Sequence, residues 1–168
     1  MSSARPPEEA RTVARQSEGT RISSALETKV ESTITIKGRC VVGGVSEGEA
    51  LVTKDRISGW GGIDPRTGKI IEIRHELRGV SFTGKVLVFP GAKGSSGWSA
   101  MFHQARLYGA APAAMLFNEM TTKIALGAVV THAPSMTDFD IDPLEVIETG
   151  DWVKVDADRG VVEITKKK

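Results

Sequence analysis

The apolar run Val86-Leu87-Val88-Phe89 carries no polar position, so it reads as a strand buried on both faces. A helix-period pattern begins at Trp98 and reaches Tyr108, where Gly109 is placed to stop it and Pro112 follows. Ala113 to Phe117 is a second buried strand. A short helix over Thr121 to Leu126, ended by Gly127, and a strand over Ala128 to Thr131 complete this stretch. Strands alternating with helices of this length predict parallel β-α-β units. On either side the pattern changes to period two. Thr33 to Val42 alternates as one strand, Gly43-Gly44 turns, and Val45 to Thr53 is a second strand that Gly48 kinks or bulges. Residues 55–68 form a Gly/Asp/Pro-rich loop, and Lys69 to Ile73 is a short extended segment. Leu144 to Ile147 suits a short helix or strand, and Asp151 to Val155 with Gly160 to Thr165 reads as a hairpin. The sum is an α/β domain of three layers, β/β/α, with a mixed sheet or partly open barrel.

The body starts near residue 32. Residues 1–31 are polar, rich in serine and balanced in charge, and they read as a loosely ordered extension. A length of 168 residues suits one domain with a real core. The net charge of +1 and 5% aromatic content give no reason to expect nucleic acid, and no apolar run is long enough to span a bilayer. The N-terminal stretch lacks the apolar core of a secretory signal, and its Glu8, Glu9, Glu18, Glu27 and Glu31 do not suit a transit peptide, which points to the cytoplasm. Cys40 is alone, so the chain forms no internal disulfide and no cysteine metal cluster, and Cys40 is expected to be a small buried side chain.

Candidate chemistry concentrates after the first buried strand. Gly94-Ser95-Ser96-Gly97 joins that strand to a helix start. Glycines let the backbone turn tightly, and the first N–H groups of a helix point forward unpaired. Such a loop binds carboxylate or phosphate and presents a serine hydroxyl to it; it equally suits a plain helix cap. Lys93 adds positive potential or is a solvated loop lysine. The loop Ser58-Gly59-Trp60-Gly61-Gly62-Ile63-Asp64 pairs glycines with a tryptophan, as a backbone does when it approaches something closely. Asp64 suits either a ligand contact or a turn before Pro65. His75 follows Ile70–Ile73 and is a candidate for the same mouth. His103 suits packing or surface, and His132 follows the expected strand at 128–131. No spacing of His, Asp and Glu makes a metal site, and no hydrolase elbow is present.

Several segments taken in order resemble the small, swivel subunit of the aconitase X family. They are Gly43-Gly44 with Gly48-Glu49-Ala50-Leu51-Val52, the run Trp60 to Gly68, Gly84-Lys85-Val86-Leu87-Val88, Gly94-Ser95-Ser96, Pro112-Ala113-Ala114, Gly127-Ala128-Val129-Val130 and Gly150 to Asp156. The likeness covers roughly residues 34–165. It implies a swivelling β/β/α domain that closes over a large subunit bearing an iron–sulfur cluster and most of the active site. It implies dehydration of a small hydroxy acid, with cis-3-hydroxy-L-proline the leading substrate and mevalonate 5-phosphate the alternative. By the superfamily's Gly-Ser-Ser-Arg motif, Ser95 takes the catalytic role. Gly94, Ser96, Gly97, Lys93, Gly61, Gly62, Asp64 and His75 are the expected substrate-binding residues. Gly97 stands where that motif has arginine, which removes one expected carboxylate clamp from this chain.

Two other classes of function remain. The segment from His132 to Asp156 looks somewhat like a phosphohistidine swivel domain, in which the histidine carries a phosphoryl group. A stand-alone binding module would use the N-terminal extension and exposed tryptophans for protein contacts.

Overall fold

Side-chain alternation in the central strands decides the layering. In the computed structural model, which describes residues 32–168, the chain runs β1 (Thr33–Lys37), β2 (Arg39–Val42), β3 (Val45–Val52), β4 (Ile57–Ser58), β5 (Ile63–Asp64), β6 (Lys69–Ile70), β7 (Val86–Phe89), β8 (Ala92–Lys93), α1 (Trp98–Leu107), β9 (Ala114–Phe117), α2 (Thr122–Thr131), β10 (Ser135–Thr137), α3 (Pro143–Val146), β11 (Trp152–Asp156) and β12 (Val161–Thr165). The extension expected over 1–31 lies outside the described residues.

Every residue of β7 and β9 is buried, and successive side chains enter different cores. Val86, Val88, Ala114 and Leu116 pack with Ile36, Val153, Val155, Val162 and Ile164 of the antiparallel strands. Leu87, Phe89, Met115 and Phe117 pack with Trp98, Phe102, Ala105, Ile124 and Ala128 of the two helices. The parallel strands are therefore the middle layer, with β-structure on one side and helices on the other. This is the expected three-layer β/β/α arrangement with a mixed sheet.

The strand order is β1-β12-β11-β3-β7-β9-β10-β2. Strand β3 belongs to both β layers. Its first half, Val45–Glu49, pairs antiparallel with β11, and its second half, Ala50–Val52, pairs parallel with β7. Gly48 sits at this transition, where a Cβ would come within 3.0 Å of the Gly84 carbonyl.

Three expectations change. The alternating run Thr33–Val42 is two strands at opposite ends of that order. β1 pairs with β12 and β2 with β10. The break is Gly38, where a Cβ would lie 2.7 Å from the Phe139 ring and 2.9 Å from the Thr137 carbonyl. The helix beginning after Thr121 does not stop at Gly127, and residues 128–131 are not a strand. α2 continues to Thr131, His132 caps it in the left-handed conformation at φ 57°, and the third parallel strand is β10. Gly127 lies against the Trp98 ring, so its glycine makes room for an indole rather than ending a helix. Cys40 is exposed rather than buried, because β2 is the last strand in the row. Of the smaller elements, Ile57–Ser58 and Ile63–Asp64 form short strands within the expected loop, and the Leu144 region is helical, capped by Asp142 accepting from the Leu144 N–H at 2.9 Å.

Candidate active site

Strands β3, β7, β9 and β10 run parallel, so their C-terminal ends open at one edge. Ligand-binding loops of open parallel sheets gather at such an edge. Here they are residues 53–56, 90–97, 118–121 and 138–142.

The loop after β7 contains the serine pair. Gly94 adopts φ +89°, a conformation in which glycine avoids the Cβ penalty. Gly94, Ser95 and Ser96 are exposed, and Gly97 is the N-cap position of α1. The cap is not a side-chain cap of the ordinary kind. Ser95 Oγ instead accepts from the Gly97 N–H at 3.3 Å, and the Ser95 carbonyl accepts from the Trp98 N–H at 3.2 Å. A backbone N–H aimed at Oγ stabilises negative charge on that oxygen. The N–H groups of Ser95 and Ser96 have no hydrogen-bond partner among the described residues. A pocket of about 410 Å³ opens beside the loop, lined by Gly94, Ser96, Thr121, Thr122, Lys123 and Leu126.

Neighbouring loops are tied to this one. Lys123 Nζ donates to the Gly94 carbonyl at 2.7 Å. Arg56 engages Glu119 through Nε, at 2.9 Å to Oε2, and through Nη2. That hydrogen bond, and then the opposite charge, raise the Arg56 pKa; the Arg56 bond lowers that of Glu119. Glu119 in turn packs on Gly91, where a Cβ would lie 3.0 Å from its own Cβ. Strand β8 pairs with β4, placing Ser58 beside Lys93.

The other expected residues divide. The start of the glycine loop, Ser58-Gly59, lies beside the serine loop, with Ser58 Oγ 3.8 Å from where a Gly94 Cβ would sit. A Cβ on Gly59 would come 2.5 Å from Trp98 Cα, and Gly62 is pressed against the Ser58 backbone. Gly61 has φ +74° and faces open space, and Trp60 is 77% exposed. Lys93 is paired with Glu72 at 2.6 Å, which offsets the positive potential expected of it. Asp64 uses both carboxylate oxygens within its own turn, accepting from the Arg66 N–H and the Thr67 hydroxyl at 3.0 Å each. His75 is 5% exposed; its Nδ1 accepts from the Leu77 N–H at 3.0 Å, so the neutral ring carries its proton on Nε2, which has no partner among the described residues. His103 is exposed on α1. His132 contacts Arg106 at 3.0 Å from the far end of α2, about 15 Å along the helix from its N-terminus. Sequence reasoning missed Lys123, Thr121, Arg56 and Glu119. Thr121-Thr122 carried a usable sign, since a hydroxyl pair between a buried strand and a helix lies at the ligand edge of a parallel sheet.

The aconitase X swivel domain model matches residues 35–164. The chain belongs to the aconitase X swivel domain family. It is 41% identical over 134 residues to the phosphomevalonate dehydratase small subunit of Methanosarcina mazei, covering 80% of this chain and 93% of the relative. It is 40% identical over 129 residues to the protein of that name from Thermococcus kodakarensis, covering 77% and 95%. The crystal structure of Thermococcus kodakaraensis aconitase X in its holo-form superposes with a TM-score of 0.74 at 38% identity, covering 79% of this chain and 99% of that one.

The iron–sulfur cluster expected with this family finds no ligand set here. Cys40 is the sole cysteine, and among the described residues no three His, Cys, Asp or Glu side chains gather into a metal-binding group. Among the described residues no helix is long and apolar enough to cross a membrane.

Proposed function

We propose that this chain is the small subunit of a two-subunit hydro-lyase, that Ser95 is its proton-transfer residue, and that mevalonate 5-phosphate is the substrate. The observation that carries the reading is the exposed Ser95 hydroxyl at the ligand edge of a domain matching phosphomevalonate dehydratase small subunits over nearly their whole length. These relatives favour mevalonate 5-phosphate over the cis-3-hydroxy-L-proline first expected from the resemblance.

Mevalonate 5-phosphate is a β-hydroxy acid. Its dehydration removes a proton from the carbon beside the carboxylate and the hydroxyl from the next carbon. Ser95 Oγ suits the proton step. A free hydroxyl is a weak base, but the Gly97 N–H at 3.3 Å and the start of α1 both favour charge on Oγ. The N–H groups of Ser95 and Ser96, unpaired among the described residues, suit substrate oxygens. The large subunit supplies the rest of the site and any cluster. Gly97 leaves no arginine at that position to grip a carboxylate.

The test is reconstitution of this chain with its large subunit. Mevalonate 5-phosphate should be dehydrated and cis-3-hydroxy-L-proline should not, with neither subunit active alone. Ser95→Ala should lower turnover by about 100-fold or more while assembly persists. Turnover near wild type in Ser95→Ala removes the catalytic assignment, and turnover of hydroxyproline alone removes the substrate.

A further inference from the structure

The serine loop is held from outside by a residue 29 positions away in sequence. Lys123, in the first turn of α2, donates to the Gly94 carbonyl at 2.7 Å. The described chain contains no cis peptide. In a trans peptide the carbonyl and the following N–H point in opposite directions. Fixing the Gly94 carbonyl toward Lys123 therefore fixes the Ser95 N–H away from it. That N–H has no hydrogen-bond partner among the described residues.

Among the described residues no other hydrogen bond reaches the Gly94 carbonyl or the Ser95 N–H. Gly94 sits at φ +89°, where it has no Cβ to forbid alternatives, and a Cβ placed there would have only Ser58 Oγ nearby, at 3.8 Å. Ser95 is exposed. A half-turn of the Gly94–Ser95 peptide would exchange an N–H for a carbonyl on the face that meets an anionic substrate. A charge-assisted bond to the carbonyl selects one of these two states.

We propose that Lys123 is a positioning residue that latches the Gly94–Ser95 peptide so that the Ser95 N–H, rather than the Gly94 carbonyl, faces the substrate. This rests on the reading of Ser95 as the reacting residue. The latch acts on the loop; the lysine does not touch substrate. Arginine keeps a donor within reach of the carbonyl and should keep the latch, whereas methionine keeps the length and loses the donor.

Two measurements test it. In the reconstituted enzyme, Lys123→Met should lower kcat by about 10–100-fold with KM within about twofold, because what is lost is a donor aimed at developing charge. Lys123→Arg should recover most of kcat, and the melting temperature of each variant should match wild type. Unchanged kcat in Lys123→Met overturns the proposal. So does a raised KM with kcat intact, which would make Lys123 a direct substrate contact. The second measurement needs no reaction. In the full chain alone, the NMR amide resonances of Ser95 and Ser96 should shift and broaden in Lys123→Met and stay near wild type in Lys123→Arg. Unperturbed resonances in Lys123→Met overturn the latch while leaving the role of Ser95 intact. Conversely, an active Ser95→Ala enzyme sinks the catalytic reading without touching the NMR result.

Discussion

Gly127→Ala should destabilise this protein, although alanine is the better helix former. Gly127 lies inside α2, and replacing an interior helical glycine by alanine ordinarily gains about 1 kcal/mol. Here the new methyl would fall inside the van der Waals shell of the Trp98 carbons Cζ3 and Cε3. Trp98 has little freedom to yield. It is fully buried, stacked on Phe102 at 4.0 Å between ring centroids, and its Nε1–H donates to the Ile57 carbonyl at 2.9 Å. Overpacking costs about 1–3 kcal/mol, and stretching a buried indole N–H from its acceptor costs about 1–3 more. Set against the helix gain, the expected net loss is about 1–5 kcal/mol and centres near 3, or roughly 6–12 °C in melting temperature. Thermal and urea unfolding of the single variant measure it. Trp98→Phe provides the cross-check: the smaller ring relieves the contact, so the double variant should show a coupling of at least about 1 kcal/mol. A Gly127→Ala protein as stable as wild type, or more so, would refute the argument that this glycine is there to seat the tryptophan.

Asp151→Asn should cost about 2–3 kcal/mol, since the fully buried carboxylate accepts from Lys166 Nζ at 2.6 Å and from the Glu148 and Lys167 N–H groups at 2.8 and 3.0 Å. Burial is the largest single influence on this carboxyl and raises its pKa, but these donors together outweigh it and hold the pKa below the ordinary value. The folded pKa is depressed, so the Asp151 contribution is complete above the unfolded value of about 3.9 and disappears as pH falls through the folded one. The stability gap between wild type and Asp151→Asn should therefore stay constant from pH 7 to about 5 and close only below about 4; a gap that closes near neutrality contradicts this. Cys40, exposed on the outer strand, should react with a thiol reagent in the native chain at a rate unchanged by denaturant, and protection until unfolding would contradict its placement. Gly59→Ala should lower both the melting temperature and the turnover of the reconstituted enzyme, since a Cβ there meets Trp98 Cα at 2.5 Å where α1 leaves the serine loop; full activity would show that this contact does not set the loop.

What the pattern of residues revealed, and what it hid, follows from range. β7 and β9 were legible because burial on both faces leaves no polar position, whichever partners supply the burial. The serine loop was legible because its glycines and its helix start are local features. The end of α2 was not. Ala128-Val129-Val130-Thr131 is β-branched and follows a glycine, so locally it favours a strand, and only the distant Trp98 ring explains the glycine. The break at Gly38 was hidden for the same reason. Alternation passes through it undisturbed, and the obstacle is Phe139. Lys93 and Asp64 were identified as charges near the site, but Glu72 and the Asp64 turn already engage them. Lys123 was invisible because its partner is a backbone carbonyl, which no residue type announces.

Gly38 also bears on how this protein avoids others of its kind. The first and last strands in the sheet order, β1 and β2, are consecutive in sequence and separated by that single residue. Its N–H donates to the Gly160 carbonyl at 3.1 Å, fastening the corner to the β11–β12 turn. An exposed strand edge is a template on which another chain can add. Here the two edges are 5 and 4 residues long and meet at a bend, so an incoming strand would have to turn the same corner to pair with both. A glycine that looks like a gap in a strand thus leaves no straight strand edge longer than 5 residues at either end of the row.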